Sequence, residues 1–183
     1  EQLRPTFTHH AVAKLLEDGL LSRVITQNAD GLHLLSGVPA ESLSSLHGDA
    51  FTEYCVGCGT EYARPYYAAG GGGGSAAEEY FAGRLAEKPA HVVQCRGCKS
   101  NHWTGRVCEK AGCGGKLHDT IISFGDSLRD CVVEAAASAA SEATVVLSLG
   151  STMSVSPANQ LVTLGGAHAV RQRSQSQAQT IIL

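Results

Sequence analysis

Thr26-Gln27-Asn28-Ala29-Asp30-Gly31-Leu32-His33 follows directly on the apolar pair Val24-Ile25, and Leu46-His47-Gly48 comes a short way downstream. An amide, a carboxylate and an imidazole therefore stand in one small region at the end of a strand candidate, Ser22 to Thr26. In open α/β sheets ligands collect beyond the carboxyl ends of strands, so polar residues there are well placed for chemistry. The stretch also bears on fold class. Before it, Thr8 to Gly19 carries Ala11, Leu15 and Leu16 at helical spacing, with Gly19 as a C-cap.

Working outward, Gly31 to Pro39 reads as loop or short helix, and Phe51 to Tyr54 as a short strand running into Cys55. Lys116 to Phe124 is a second strand region with a turn at Gly125-Asp126. Asp130 is placed to cap a helix over Cys131 to Ala143, and lone Cys131 reads as a small core residue. The apolar run Ala143 to Gly150 after that helix has the composition of a buried parallel strand. Arg171 to Gln179 is rich in Gln and Ser and reads as a loop, and Thr180 to Leu183 begins another apolar strand. Helix–strand alternation around a cysteine-rich insert predicts an α/β fold: a Rossmann-like doubly wound parallel sheet, incomplete, with a small zinc-ribbon module. The expected boundaries are 1–50 with 116–183 for the sheet domain and 51–115 for the zinc module.

Within that module, Pro65 to Pro89 differs in character. Gly70 to Gly74 is an unbroken glycine run followed by Ser75-Ala76-Ala77, the composition of a flexible insert spanning about 65–90. A phosphate-binding glycine loop would need a strand before it and a lysine or patterned spacing after it, and this run has neither.

The chain has seven cysteines and no signal-peptide pattern in Glu1-Gln2-Leu3-Arg4-Pro5, which favours metal binding over disulfides and a reducing compartment, cytosol or nucleus. Cys55-x2-Cys58, Cys95-x2-Cys98 and Cys108-x4-Cys113 form three pairs flanked by glycines. A short loop lets two thiolates meet one zinc, and two such knuckles complete a tetrahedral shell. A thioredoxin-like redox pair would instead need a helix start after a strand. Cys108 and Cys113 sit just before Lys116, as a closing knuckle would, and pair with Cys55 and Cys58. Cys95 and Cys98 could recruit His91 or His102 for a second metal, or could belong to an insert that binds nothing or swaps in as ligands.

At 183 residues the chain suits one domain with a small appended module, and a 43% hydrophobic fraction is enough for a core. A net charge of −3 gives no basic footprint for direct, sequence-specific nucleic-acid binding. No apolar run approaches the length of a membrane span. The missing initiator methionine reads as a piece of a longer protein.

TQNADGLH with Leu46-His47-Gly48, and Leu149-Gly150-Ser151-Thr152 followed by Val155-Ser156-Pro157-Ala158, resemble the signature of the sirtuins, NAD-dependent protein deacylases. Thr104 to Cys108 and Leu117 to Asp126 look like the branch typified by nuclear, chromatin-associated sirtuins, and Pro5-Thr6 and His9 resemble the segment before the first motif. The similarity spans most of the chain apart from the glycine-rich insert and the tail.

The resemblance implies NAD and Zn2+ as cofactors and an acyl-lysine protein as substrate, with histones among the candidates and the nucleus as location (the cytoplasm as alternative). It implies lysine deacylation with release of nicotinamide and O-acyl-ADP-ribose. By resemblance His47 is the general base toward a ribose hydroxyl, a task suited to an imidazole with pKa near ~6.5. Asn28 would hold the ribose or an ordered water, Gln27 would support the same sugar, and Asp30 would accept from the nicotinamide carboxamide. Gly150 would allow close backbone approach, with the Ser151 and Thr152 hydroxyls bonding ribose or phosphates. The peptide would lie as an added strand between Phe124-Gly125-Asp126 and Ser154-Val155-Ser156, with Phe124 and Val155 lining the acyl tunnel. Considered without the resemblance, Asn28 and Asp30 read as turn residues around Gly31, and His33, His118 and His168 as ordinary histidines.

Two departures stand out. Ala29 replaces the larger aliphatic residue usual in the motif, and the family's opening glycine-bearing loop is not in this chain. Mono-ADP-ribosyl transfer and a non-catalytic zinc-stabilised binding module are the alternative functions. A zinc-ribbon nucleic-acid binder is disfavoured by the acidic balance.

Overall fold

The computed structural model describes residues 3–68, 102–164 and 180–182. The polyglycine stretch, Cys95, Cys98, His91, His168 and the Gln/Ser tail lie outside the described residues. The chain divides into two compact units, 1–46 with 128–183, and 47–127.

The first unit is the α/β sheet. Helix α1 (Phe7–Glu17) leads into strand β1 (Arg23–Thr26), the short helix α2 (Leu32–Leu35), a 3-10 turn over Ala40–Ser42 and strand β2 (Leu43–Ser45). After the second unit come helix α3 (Asp130–Glu142), strand β7 (Val145–Leu147), helix α4 (Ala158–Leu164) and strand β8 (Thr180–Ile182). The strand order is β2-β1-β8-β7, and every pairing is parallel.

Successive strand side chains point to opposite faces, so Val24 and Ile25 feed two different cores. Val24 packs with Val12, Leu21 and Val38, backed by Leu15, Leu16 and Leu43, on the face covered by α1. Ile25 packs with Leu46, Ala136, Ala140, Ala158 and Leu161, on the face covered by α3 and α4. Helices on both faces of a parallel sheet are the doubly wound arrangement expected from the alternation.

Three expectations change in detail. Asp130 is the first residue of α3, whose N-cap is Arg129, so its carboxylate meets the positive end of the helix rather than capping it. Cys131 is exposed rather than a core residue. At 100° per residue it stands about 140° around the helix from Ala136 and about 180° from Ala140, the buried positions. The 143–150 run does form a parallel strand, but Val145 and Leu147 are 53% and 43% exposed. Among the described residues β7 packs against the core through Val146 alone.

The second unit is antiparallel. Strands β3 (Thr52–Cys55), β4 (Glu61–Ala63), β5 (Trp103–Val107) and β6 (Lys116–Asp119) pair in the order β4-β3-β6-β5. Lys116–Asp119, assigned by sequence to the sheet domain, is therefore a central strand here, with Glu53 opposite Asp119 and Cys55 opposite Leu117. Strands β2, β4 and β5 were not anticipated.

Among its described residues Cys55, Cys108 and Leu117 form one small buried cluster, edged by Tyr62 and Cys113. A buried ion-pair network accompanies it. Glu53 is fully buried, and its two carboxylate oxygens each accept from a guanidinium Nε at 2.6 Å, Arg64 on one side and Arg106 on the other. Burial pushes the Glu53 carboxyl up, but hydrogen bonds from Thr104, Arg64 and Arg106 outweigh it and hold the group below its usual value. Arg64 also reaches Glu109 at 2.6 Å.

Candidate functional site

In the first unit, the carboxyl end of β1 opens onto a cavity of about 680 Å³, within the range of small-molecule sites. Gln27, Asn28, Gly150, Ser151 and Thr152 all line it, so residues more than 120 apart in sequence meet there. Gln27 Nε2 donates to Ser151 Oγ at 2.9 Å, tying the motif after β1 to the motif after β7. The Asn28 backbone N–H is held by Thr26 Oγ1 at 3.1 Å. Gly150 sits at φ +66, a left-handed turn that a side chain would strain. Beyond it, Ser151 Oγ accepts the Met153 N–H at 3.2 Å, and the hydroxyls of Thr152 and Ser154 lie 3.0 Å apart.

Asp30 is not among the lining residues. Its Oδ1 accepts the Leu32 N–H at 3.0 Å, the turn-and-cap use that its residue type also allows. Val155 is 38% exposed, just before α4.

Two lining residues carried no weight in the residue-level reading, His9 and His33. Their ring centroids lie 5.0 Å apart with the planes tilted by 55°. His9 Nδ1 accepts the Thr6 N–H at 3.2 Å and lies 2.8 Å from Thr6 Oγ1, in a capping box at the start of α1. The Thr6-x-x-His9 spacing was the available signal. Burial, then the charge of His9, pushes the His33 imidazole below its ordinary value. Its Nδ1 is buried with no partner among the described residues.

In the second unit, the backbone around His47 is pinned. Its carbonyl accepts the Ile122 N–H at 3.0 Å. Gly48 has φ +80, and a Cβ there would stand 1.8 Å from the Thr120 carbonyl oxygen, so only glycine fits. Thr120 Oγ1 completes the lock by accepting the Asp49 N–H at 2.9 Å and donating to the Asp49 carbonyl at 2.8 Å. The segment leaving β6 thus runs beside His47-Gly48 and turns at Ser123–Asp126, where Phe124 is 95% exposed.

The same unit holds the candidate metal centre. The β3–β4 turn carries Cys55 and Cys58, and the β5–β6 turn carries Cys108 and Cys113. Because β3 and β6 run antiparallel side by side, both turns fall at one end of the sheet. The four Sγ atoms lie within 4.8 Å of one another. Cys55 to Cys113 is 3.6 Å and Cys58 to Cys108 is 3.7 Å. Sulfurs at Zn–S bonds of about 2.3 Å in a tetrahedron stand about 3.8 Å apart, so the spacing fits zinc.

All four are free thiols rather than disulfides. Hydrogen bonds from Thr60 draw Cys58 down to about 6. Cys113, despite the Gly115 backbone N–H, is driven up to about 12 by its sulfur neighbours Cys58, Cys55 and Cys108. Four thiolates this close repel one another unless a cation shares them, as a dication would. Gly115 is obligatory, since a Cβ would lie 2.6 Å from Cys55 Sγ. Tyr62 OH lies 3.0 Å from Cys108 Sγ and accepts the Lys110 N–H at 3.1 Å. Among the described residues this is the one cluster able to hold a metal. His102, considered above for a second metal, instead faces Asp119 and Asp126.

Comparison with known proteins agrees with this picture. A family model described as the Sir2 family matches residues 1–157. The chain is 36% identical over 157 residues to the NAD-dependent protein deacetylase SRT1 of Arabidopsis thaliana, covering 86% of this chain and 27% of that protein. It is 35% identical over 159 residues to the NAD-dependent protein deacetylase sirtuin-7 of Homo sapiens, covering 84% and 33%. The chain thus spans about a quarter to a third of the length of these relatives. Among solved structures, Sir2Tm bound to a propionylated peptide superposes with a TM-score of 0.54 at 28% identity, covering 99% of this chain and 59% of that one. With the family model covering most of its length, the chain belongs to the Sir2 family.

Proposed function

We propose that the protein carrying this chain is an NAD-dependent protein lysine deacylase, releasing nicotinamide and an O-acyl-ADP-ribose. The observation that carries the reading is the cavity at the end of β1, where Gln27, Asn28, Gly150, Ser151 and Thr152 converge from two distant motifs. When bound, NAD would supply a glycosidic bond whose cleavage exposes the sugar to the acyl oxygen. In this reading Ser151 and Thr152 offer hydroxyls to the cofactor's sugars or phosphates, while Gly150 lets it approach the backbone. Gln27 and Asn28 orient the ribose, and Asp30, which stands outside the cavity lining with Oδ1 on the Leu32 N–H, would accept from the carboxamide through its other oxygen. The His47 imidazole takes a proton from a ribose hydroxyl as general base.

Phe124-Gly125-Asp126 and Ser154-Val155 would receive the acyl-lysine peptide through backbone hydrogen bonds. Support comes from the relatives named as NAD-dependent protein deacetylases and from the solved Sir2Tm complex with a propionylated peptide. Histones are candidate substrates. The nucleus is the proposed location, with the cytoplasm as alternative, and imaging of the tagged full-length protein separates the two. Zinc on Cys55, Cys58, Cys108 and Cys113 would be structural, since those thiols complete a closed tetrahedral shell.

The test is incubation of the full-length protein with NAD and acyl-lysine peptides of several chain lengths. Nicotinamide release that depends on the peptide, and falls about 10²- to 10⁴-fold in His47→Ala, is expected. No release with any acyl chain sinks the deacylase reading.

A further inference from the structure

We propose that His102 is a positioning residue that straps the Ser123–Asp126 turn to the end of β6. It precedes β5, and its carbonyl accepts the Asp119 N–H at 2.8 Å, which brings its side chain beside the last residue of β6. An ionised carboxylate can only accept, so the 2.9 Å contact has His102 Nδ1–H donating to Asp119 Oδ1. The same oxygen accepts the Ile121 N–H at 3.1 Å.

On the other side of the ring, Nε2 lies 3.5 Å from Asp126 Oδ2. That oxygen accepts the Ser123 N–H at 3.0 Å, and the Asp126 N–H donates back to the Ser123 carbonyl at 3.0 Å. One imidazole thus bridges the carboxylates at the two ends of the segment that presents Phe124. Both carboxylate side chains are only 6% exposed, and the ring 18%.

The turn has no apolar anchor of its own at its tip. Phe124 is 95% exposed and Gly125 sits at φ +96, so burial does not hold this backbone in place. Its geometry rests on polar contacts, and the ring joins the contact network at Asp119 to the one at Asp126. Without the ring, Asp119 loses its Nδ1–H donor and Asp126 loses the imidazole edge beside it, so the paired Ser123–Asp126 bonds lose their tie to the end of β6. Where the inference touches function it rests on the deacylase reading, in which Phe124-Gly125-Asp126 receives the peptide.

The experiment compares the full-length, zinc-loaded protein with His102→Gln, which keeps one donor, and His102→Arg, a planar cation with donors for both carboxylates. Amide hydrogen exchange reads the strap directly. Ser123 and Asp126 are expected to exchange about tenfold faster in His102→Gln, the scale of one lost polar contact to a charged carboxylate. Protection over β3 should be unchanged, and His102→Arg should recover most of the effect. Unchanged exchange at Ser123 and Asp126 overturns the strap. Equal loss over β3 overturns it too, because the residue would then be supporting the whole unit.

In the deacylation assay, His102→Gln should raise the peptide KM about tenfold, leave kcat within about twofold, and be rescued by arginine. Altered exchange with an unaltered KM overturns the role in peptide presentation. If the wild-type protein turns over no acyl peptide, the deacylase reading fails, while the exchange comparison still decides the strap.

Discussion

The two units solve the same stability problem with different materials. The parallel unit is held by aliphatic side chains on both faces of its sheet, Val24 against α1 and Ile25 against α3 and α4. Among its described residues the antiparallel unit gathers Cys55, Cys108 and Leu117 into one small buried cluster, and places a fully buried glutamate between two arginines where an apolar residue would ordinarily sit. A buried cluster of that size offsets little chain entropy, and small domains commonly lean on metals for the remainder. The difference teaches where each unit is vulnerable. The first should tolerate loss of methyl groups, and the second should fail when a ligand or a charge is removed.

The largest expected effect is metal removal. Chelation, or Cys55→Ser, should cost the second unit on the order of 10 kcal/mol of metal-linked folding energy. Hydrogen exchange should show β3 to β6 losing protection while β1 and β2 keep theirs. Equal loss in both units would erase the contrast.

Next comes Glu53→Gln, expected to destabilise by about 3–5 kcal/mol because Arg64 and Arg106 lose the charge that offsets their partial burial. Ile25→Val in the apolar unit should cost only about 0.5–1.5 kcal/mol. Urea titrations of the two variants compare them directly, and a reversed order would break the argument.

Tyr62→Phe is a finer probe. Its hydroxyl lies against Cys108 Sγ, and losing such a partner should weaken zinc binding about 10- to 100-fold with the fold retained. Competition with a chromogenic chelator measures it, and unchanged affinity would mark the contact as incidental.

The smallest effect is on pH dependence. His33 has a folded-state pKa below its ordinary 6.5, chiefly through burial and then through His9. The unfolded chain then binds more protons in the window just below 6.5, so stability is full above that value and falls as pH drops through it. His33→Gln should flatten that slope for β1 amides. His118 in the second unit is shifted the same way, by burial and then His102, so the amides of β6 should keep their slope in that variant.

Much of this was legible beforehand because it is local chemistry. Cys-x2-Cys and Cys-x4-Cys place two thiols on one turn whatever surrounds them, and the apolar strand before Gln27-Asn28 marks a ligand-binding end. Strands β4 and β5 were missed because Glu61–Ala63 and Trp103–Val107 have no clear apolar alternation, and it is their partners β3 and β6 that hold them extended. Cys131 was misjudged because a helix interior can be read only once the buried stripe, Ala136 and Ala140, is known.

By itself the sequence determined the doubly wound class, the four thiols of one candidate metal shell, and the polar motifs at the ends of β1 and β7. Spacing along the chain constrains neighbours a few residues apart, and those features need nothing more. The tertiary structure decided that Lys116–Asp119 belongs with the cysteines, that Gly48 must clear the Thr120 carbonyl, and that Gln27 meets Ser151. It also decided that His102 stands between Asp119 and Asp126. Each of these depends on strand register or on a turn's direction, which long-range packing sets and no local pattern encodes.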